Sequence, residues 1–336
     1  MRAYRLDHSQ GLQRVEVPDP AAGAHEVLLK VSAVSLNYRD LLVADGNYLQ
    51  GAGAAVIPLS DAVGEVLSVG AGVTRFKPGD RVMNTFFPNW VDGAPTAAAT
   101  ARTWGADTDG VLAERVAVHE DGLVHAPAHL SDAEAATLTC AGVTAWNALF
   151  PVGRLKPGQT VVLLGTGGVS IWGLQLARAA GVRTIITSSS DEKLQRARTL
   201  GADATVNYRS TPEWQDEVLR LTGGEGAQVV LEVGGQGTLT RSIASTAMDG
   251  TVAIIGGVSG FGATAVSPRE LISGAKRLAG VFVGSRRMFE DLNRVVVHSQ
   301  IKPVVDRVFA FDEAAEAFQH LRDGKHFGKL VISVAG

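Results

Sequence analysis

From Thr160 onward the apolar positions of the chain follow two alternating periods. Short runs of almost wholly apolar or β-branched residues lie near 160–165, 183–188, 205–208, 227–232, 251–256 and 278–284. Between them the apolar residues recur at helical spacing, as in Ile171 to Ala180, which Gly181 stops. Six strands with intervening helices predict an α/β fold built on a doubly wound parallel sheet. Residues 1 to about 124 are patterned differently. There strand-like runs such as Glu26 to Val31, Gly64 to Gly70 and Arg81 to Met83 are separated by Gly, Pro and Asp turns, a β-rich arrangement. Residues 92–110 are Ala, Thr, Gly and Asp with little periodicity, which predicts a long loop, a lid or a disordered segment. Ser131-Asp132-Ala133-Glu134 is a capping box opening a helix to about Leu149. After Ile301-Lys302-Pro303, a strand (304–309), a helix (312–322) and a last strand (329–334) do not extend the count of six, so the chain is expected to return to its first domain. The predicted division is 1–124 with 302–336 for one domain and 125–301 for the other.

Composition narrows the function. The chain has 336 residues, 46% hydrophobic, enough for two cores. Net charge is −3 with no basic tract, which excludes nucleic acid as the expected partner. The apolar runs are broken by Gly, Arg or Thr within about ten residues, so no membrane span is expected. The N-terminal residues lead into strand-like sequence without a signal-peptide core, and Cys140 is the single cysteine. A reducing cytoplasm is therefore the expected setting, and an intrachain disulfide is impossible.

The chemistry concentrates at the first turn of the alternating region, Gly165-Thr166-Gly167-Gly168-Val169-Ser170. A glycine-rich turn between a strand and a helix binds dinucleotide phosphates: Gly165 turns tightly, Gly167 lets the backbone approach a pyrophosphate, and helix N–H groups face the anion. Ser170 stands where the fingerprint has its third glycine. At the end of the second strand, where NAD sites carry Asp or Glu for the ribose 2′-OH, the chain has Ser188, Ser189 and Ser190. Hydroxyls there, with Lys193 and Tyr208 nearby, suit a 2′-phosphate and point to NADPH (NADP+) as cofactor. Asp191 is the competing ribose ligand, but it is expected as the N-cap of a helix from Glu192 to Leu200.

Several stretches together carry a family resemblance: Val63-Gly64-Glu65-Val66, Phe76-Lys77-Pro78-Gly79-Asp80-Arg81-Val82, Cys140-Ala141-Gly142-Val143-Thr144-Ala145-Trp146 and Gly201-Ala202-Asp203. Over essentially its whole length the chain resembles the medium-chain dehydrogenase/reductase superfamily, and within it the zinc-independent branch that contains quinone oxidoreductases. The resemblance implies a GroES-like catalytic domain from both termini, a Rossmann domain between, and an active site in the cleft. It further implies a homodimer and a small-molecule substrate. Matching the flanking motifs puts Asn37, Ser60 and Cys140 at the catalytic zinc positions of the zinc-dependent alcohol dehydrogenases, and an amide, a hydroxyl and one thiol make a poor zinc site. The structural zinc lobe needs four cysteines that residues 92–110 lack, so no metal is expected. Cys140 is then expected as a buried small side chain.

For the substrate, the resemblance implies Asn37 and Tyr48 as the catalytic pair orienting a carbonyl oxygen, and Ser60, Phe86 and Trp90 as pocket residues. For the cofactor it implies Thr144 near the nicotinamide and the strand ends Gly234, Ile255, Gly256, Val283, Gly284 and Ser285, beside the turn residues Gly165, Gly167, Gly168 and Val169. Arg286 and Arg287 are candidates for the cofactor phosphates or for a solvated surface. Asn37 as a turn residue, Tyr48 as a packed aromatic, the Phe86–Trp90 stretch as core and Thr144 bonded to its own backbone are the plain structural readings. The function expected is NADPH-dependent reduction of quinones or activated alkenes (enones). Two alternatives stand beside it: an alcohol/aldehyde dehydrogenase-like carbonyl oxidoreductase, which would want a metal for the alkoxide, and an NADPH-binding protein without turnover.

Overall fold

The computed structural model describes residues 1–7, 11–48 and 55–334. The chain first forms β1 (Arg2–Asp7), β2 (Gly11–Glu16), β3 (Glu26–Ser35), β4 (Asp61–Val69), β5 (Arg81–Asn84), β6 (Arg115–His119) and β7 (Leu123–His125). The middle of the chain forms β8 (Thr160–Leu163), β9 (Arg183–Ser188), β10 (Ala204–Asn207), β11 (Ala227–Glu232), β12 (Thr246–Ile254) and β13 (Arg277–Gly280). Two strands close it, β14 (Val305–Ala310) and β15 (Lys329–Ser333). Two compact units result, one of residues 1–143 with 284–336 and the other of residues 144–283.

In the first unit β14, β15, β3, β4, β5 and β7 lie side by side in that order, with β6 on the free part of β3, and β1 and β2 pair separately. The long β3 alternates buried with partly exposed residues at first, then runs buried through Val34 and Ser35, where β15 and β4 flank it. The return of the chain to its first domain is thus made by β15, which pairs antiparallel with β3 and parallel with β14. Val27, Leu29, Val31, Val66, Val82, Leu112, Phe309, Leu330 and Ile332 form the core beneath this sheet.

The second unit holds one parallel sheet in the order β10-β9-β8-β11-β12-β13. The strand positions match the six predicted runs, and the order reverses between β8 and β11, where such sheets take their ligands. Val161, Val162, Ile185, Ile186, Val229, Val230 and Leu231 are fully buried, as strands covered on both faces require.

Four features differ from the sequence reading. The borders between units fall at 143/144 and 283/284, so residues 125–143 and the helix Arg286–His298 belong to the first unit. That helix buries Phe289, Leu292 and Val296, and its Asn293 donates to His125 O at 3.0 Å. The helix from the Ser131 capping box runs on to Val152 through π-type turns, where Pro151 cannot donate the regular bond. At 21 residues, Asp132–Val152 is long and apolar enough to cross a membrane, contrary to the expectation of no such run; its residues are mostly buried, as in a core helix. Residues 92–110 are not a free loop: Gly105 N donates to Thr108 O, Gly110 N to Ile57 O, Thr103 Oγ1 to Asp107 and Trp104 Nε1 to Thr85 O. A loop that satisfies its own polar groups in this way is part of the folded unit.

Candidate active site and cofactor cradle

The cofactor residues lie in the second unit. Gly165 has φ +72°, a conformation that a side chain would strain, and it stands two residues past the end of β8. Gly167 is the N-cap of the helix Gly168–Ala179, so no side chain caps that helix, and a Cβ at Gly165 or Gly167 would meet no atom within 4 Å. The open space lies at the end of a 12-residue helix whose first N–H groups carry the positive end of its dipole. Ser170, at the place of the third glycine, is buried and donates to Leu164 O at 2.6 Å, tying helix to strand. The close helix–sheet contact is made instead at Gly173, where a Cβ would stand 3.0 Å from Leu163 and Leu231. Thr187 Oγ1 accepts from Gly165 N at 3.2 Å and holds the turn. Turn, dipole and space fit a dinucleotide's pyrophosphate.

Of the three serines after β9, two serve the chain itself. Ser188 is buried and accepts from Ser190 N at 3.2 Å, while Ser190 Oγ accepts from Lys193 N as the N-cap of the helix Asp191–Thr199. Asp191 is therefore the first helical residue and not the cap; its carboxylate takes Asn207 Nδ2 at 2.7 Å. Ser189 is half-buried between them, and Tyr208 is exposed beyond β10.

The fourth strand end holds a residue that the sequence reading passed over. Glu232 is fully buried and accepts from Gly234 N (2.6 Å), Gly235 N (2.9 Å), Thr238 Oγ1 (2.6 Å) and Ser242 Oγ. It shapes the loop to which Gly234 belongs, and Ile255 N and Gly256 N donate to its backbone carbonyl. Val283 O and Phe282 O accept from Asn147 Nδ2, which pins the segment after β13, and Thr144 is buried at the start of this unit. Gly284 and Ser285, expected along the cofactor, belong to the first unit; Ser285 caps the helix that follows, accepting from Met288 N at 3.2 Å. Arg286 donates to the Asp121 carboxylate, and Arg287 pairs with Asp291 at 3.3 Å, so neither guanidinium is reserved for phosphate.

In the first unit the three residues that the resemblance matched to the zinc positions lie in a buried hydrogen-bond network. The short helix Tyr38–Ala44 starts with Asn37 N donating to Asp40 Oδ2 at 2.7 Å. Asn37 Oδ1 accepts from Lys329 Nζ at 2.6 Å, and Lys329, at the start of β15, also donates to Leu36 O. Asn37 Nδ2 lies 3.5 Å from Ser60 Oγ, which donates to Asp61 Oδ1 at 2.7 Å. Asp61 Oδ2 accepts from Cys140 N at 3.2 Å. Burial pushes the Asp61 carboxyl up against the pull of the Lys329 charge and of these donors. It pushes Asp40 up to about 6, opposed first by the Arg39 charge. Burial and Asp61 also push the Cys140 thiol up, away from thiolate chemistry, in line with a small packed side chain.

This donor set does not fit zinc. The Asn37 oxygen already faces an ammonium, the Ser60 hydroxyl is spent on Asp61, and the Cys140 thiol is held in its neutral form. Among the described residues no cluster of three His, Cys, Asp or Glu side chains is placed to hold a metal. Ser60 is fully buried and belongs to this network.

Tyr48 is half-buried against Leu6, Val43 and Ala106, and burial raises its hydroxyl, which stays a neutral donor. Over its ring, 4.5 Å from the centroid, lies the guanidinium of Arg39, which is also 5.1 Å from the Phe86 centroid. Phe86 thus belongs to this corner. Trp90 does not: it is fully buried on Phe87, and its Nε1 donates to Gly93 O at 3.1 Å, the core reading.

Comparison with known proteins agrees with both units. An alcohol dehydrogenase GroES-like domain matches residues 23–128, and a zinc-binding dehydrogenase domain matches residues 168–298. A zinc-type alcohol dehydrogenase-like protein of Schizosaccharomyces pombe is 44% identical over 314 residues, 92% of this chain and 91% of its own. Acryloyl-coenzyme A reductase of Metallosphaera sedula is 28% identical, covering 97% of both chains. Among solved structures, a putative alcohol dehydrogenase from Sinorhizobium meliloti is 43% identical with a TM-score of 0.92, covering 99% of this chain and 98% of that one. A crotonyl-CoA carboxylase/reductase, AntE, in complex with NADP is 26% identical with a TM-score of 0.88, covering 99% and 94%.

Proposed function

Because the chain belongs to the medium-chain dehydrogenase/reductase superfamily and is an NAD(P)H oxidoreductase, we propose that it is an NADPH-dependent, zinc-independent reductase of activated alkenes, with quinones as a related substrate class. The observation that carries the reading is Lys329 Nζ on Asn37 Oδ1, a fixed cation where the zinc-type enzymes of the superfamily would need metal ligands. An alcohol substrate requires strong stabilisation of an alkoxide. An enone requires only a donor to its carbonyl oxygen, since the negative charge spreads over the enolate as the β-carbon is reduced.

The turn Gly165–Val169 and the helix N–H groups behind it would hold the pyrophosphate, and Ser189 with Lys193 and Tyr208 would hold the 2′-phosphate. When bound, NADPH supplies the hydride. The Tyr48 hydroxyl donates to the substrate carbonyl oxygen, and the α-carbon takes its proton from water. Asn37 fixes Lys329, whose charge lowers the cost of negative charge developing nearby. Relatives named as acryloyl-CoA and crotonyl-CoA reductases reduce carbon–carbon double bonds by name, which favours alkenes over simple ketones. The name alcohol dehydrogenase among other relatives supports a second reading, carbonyl–alcohol interconversion.

We further propose a homodimer formed along the free edge of β13, near which Ile272, Phe261 and Phe282 are exposed. A substrate panel tests the central reading. NADPH oxidation with enones or quinones, and none with saturated ketones, supports it. Reduction of ketones alone favours the dehydrogenase reading, and cofactor binding without turnover favours a non-catalytic protein.

A further inference from the structure

Asp191 is an exposed acid just past the end of β9, close to where an NAD site keeps the carboxylate that holds its ribose. A carboxylate free to swing there would accept from the 2′-OH of NADH and repel the 2′-phosphate of NADPH. It is not the cap of its own helix, because Ser190 Oγ already accepts from Lys193 N. Its carboxylate goes instead to the neighbouring strand. Asn207 is the last residue of β10 and stands in register with Ser188, the last of β9. Asn207 Nδ2 donates to Asp191 Oδ1 at 2.7 Å, and Asn207 Oδ1 accepts from Arg209 N at 2.9 Å. That second bond is a side chain closing a turn two residues on. Thr211 N (2.9 Å) and Ser210 Oγ (3.2 Å) donate to Asn207 O, and Tyr208 N donates to Ser188 O at 3.1 Å, so the turn is held at several points. With its oxygen given to the turn, the Asn207 amide has only its NH2 to offer Asp191, and only an acceptor can take it. The direction of the contact is thereby fixed by the turn and not by the acid.

We propose that Asn207 is a specificity-determining positioning residue: it clips the Asp191 carboxylate to the end of β10 and so keeps the 2′-phosphate side of the cradle clear. The assignment rests on the NADPH reading above and deepens it. It explains how a chain with an acid this near the second strand end still takes a phosphorylated ribose, and it places part of the discrimination in the contact between two side chains.

The test is a double-mutant cycle on the full chain. Dissociation constants for NADPH and NADH are measured by cofactor fluorescence on wild type, Asn207→Ser, Asp191→Ala and the double variant, and their ratio is the preference. Serine keeps an acceptor for Arg209 N, since a hydroxyl closes the same turn more weakly, but it is too short to hold Asp191. In Asn207→Ser the preference for NADPH is expected to fall about ten-fold. Asp191→Ala should keep the preference, and the double variant should return to within about two-fold of Asp191→Ala. Asn207→Ala, which loses the turn as well, should show the same fall on top of a loss common to both cofactors. An Asn207→Ser variant that weakens both cofactors by one factor, or a fall that Asp191→Ala does not restore, would overturn the assignment. Selective loss of NADH binding in Asp191→Ala alone would also overturn it, because the acid would then already face the ribose. A wild type without preference for NADPH, in which Asn207→Ser still shifts the ratio toward NADH through Asp191, would leave the clip standing and remove the NADPH reading instead.

Discussion

Asp40 should make the stability of the protein depend on pH in a way that one substitution isolates. The carboxyl is fully buried, accepts from Asn37 N at 2.7 Å and lies 3.4 Å from Arg39 Nη1. Burial outweighs both partners and raises it from 3.8 to about 6. A carboxyl raised on folding binds its proton more tightly in the native state, so stability falls as pH rises from about 4 to about 6 and then levels off. At 1.36 kcal/mol for each pH unit, the displacement amounts to about 3 kcal/mol. In Asp40→Asn the amide oxygen can still accept from Asn37 N, but nothing titrates. Urea unfolding of both proteins from pH 4 to pH 8 should therefore show the variant gaining on wild type by roughly 2–3 kcal/mol up to about pH 7, with a constant gap above it. A gap that does not change with pH, or that opens in wild type's favour, would refute the burial argument.

Three further outcomes follow from the same geometry. Glu232→Ala leaves Gly234 N, Gly235 N, Thr238 and Ser242 without their acceptor, and should cost roughly 2–4 kcal/mol in denaturant unfolding; a loss under about 0.5 kcal/mol would mean that the loop does not depend on it. Ser189→Asp places a carboxylate after β9 and should weaken NADPH by about ten-fold or more while sparing NADH, measured by cofactor fluorescence; equal weakening of both would put the 2′-phosphate elsewhere. Ile272→Glu, on a residue 79% exposed, should convert a dimer to a monomer in light scattering, whereas an unchanged mass would dismiss the β13 edge as the interface.

The parallel sheet was legible because its strands are buried on both faces and write continuous apolar runs, from Val161 to Leu164 and from Val229 to Leu231. The glycine turn was legible because only glycine tolerates Gly165's backbone. Features set by the choice of side-chain hydrogen-bond partner were not. Asp191 looks like a cap beside its helix, but the hydroxyl of Ser190 reaches Lys193 N and takes that place. Trp90 looks like a pocket wall until its indole is seen to be held by Gly93. The buried charges of the two units were missed, although each left a sign. Lys329 opens the apolar run Leu330-Val331-Ile332, Asp61 starts a strand with Ala62 and Val63, and Glu232 ends Val229-Val230-Leu231. A charge inside such a run has to find a partner. Sequence gives the need for that partner, but only the packing of β15 beside β3 shows that Lys329 finds Asn37.

The most direct test of the central claim is metal content and turnover on one sample. Zinc is measured by elemental analysis on protein that is oxidising NADPH with an enone, before and after prolonged chelation. Zinc is expected well below one atom per chain, with a rate that chelation leaves unchanged. One zinc per chain, with activity lost on its removal and restored by zinc alone, would contradict it.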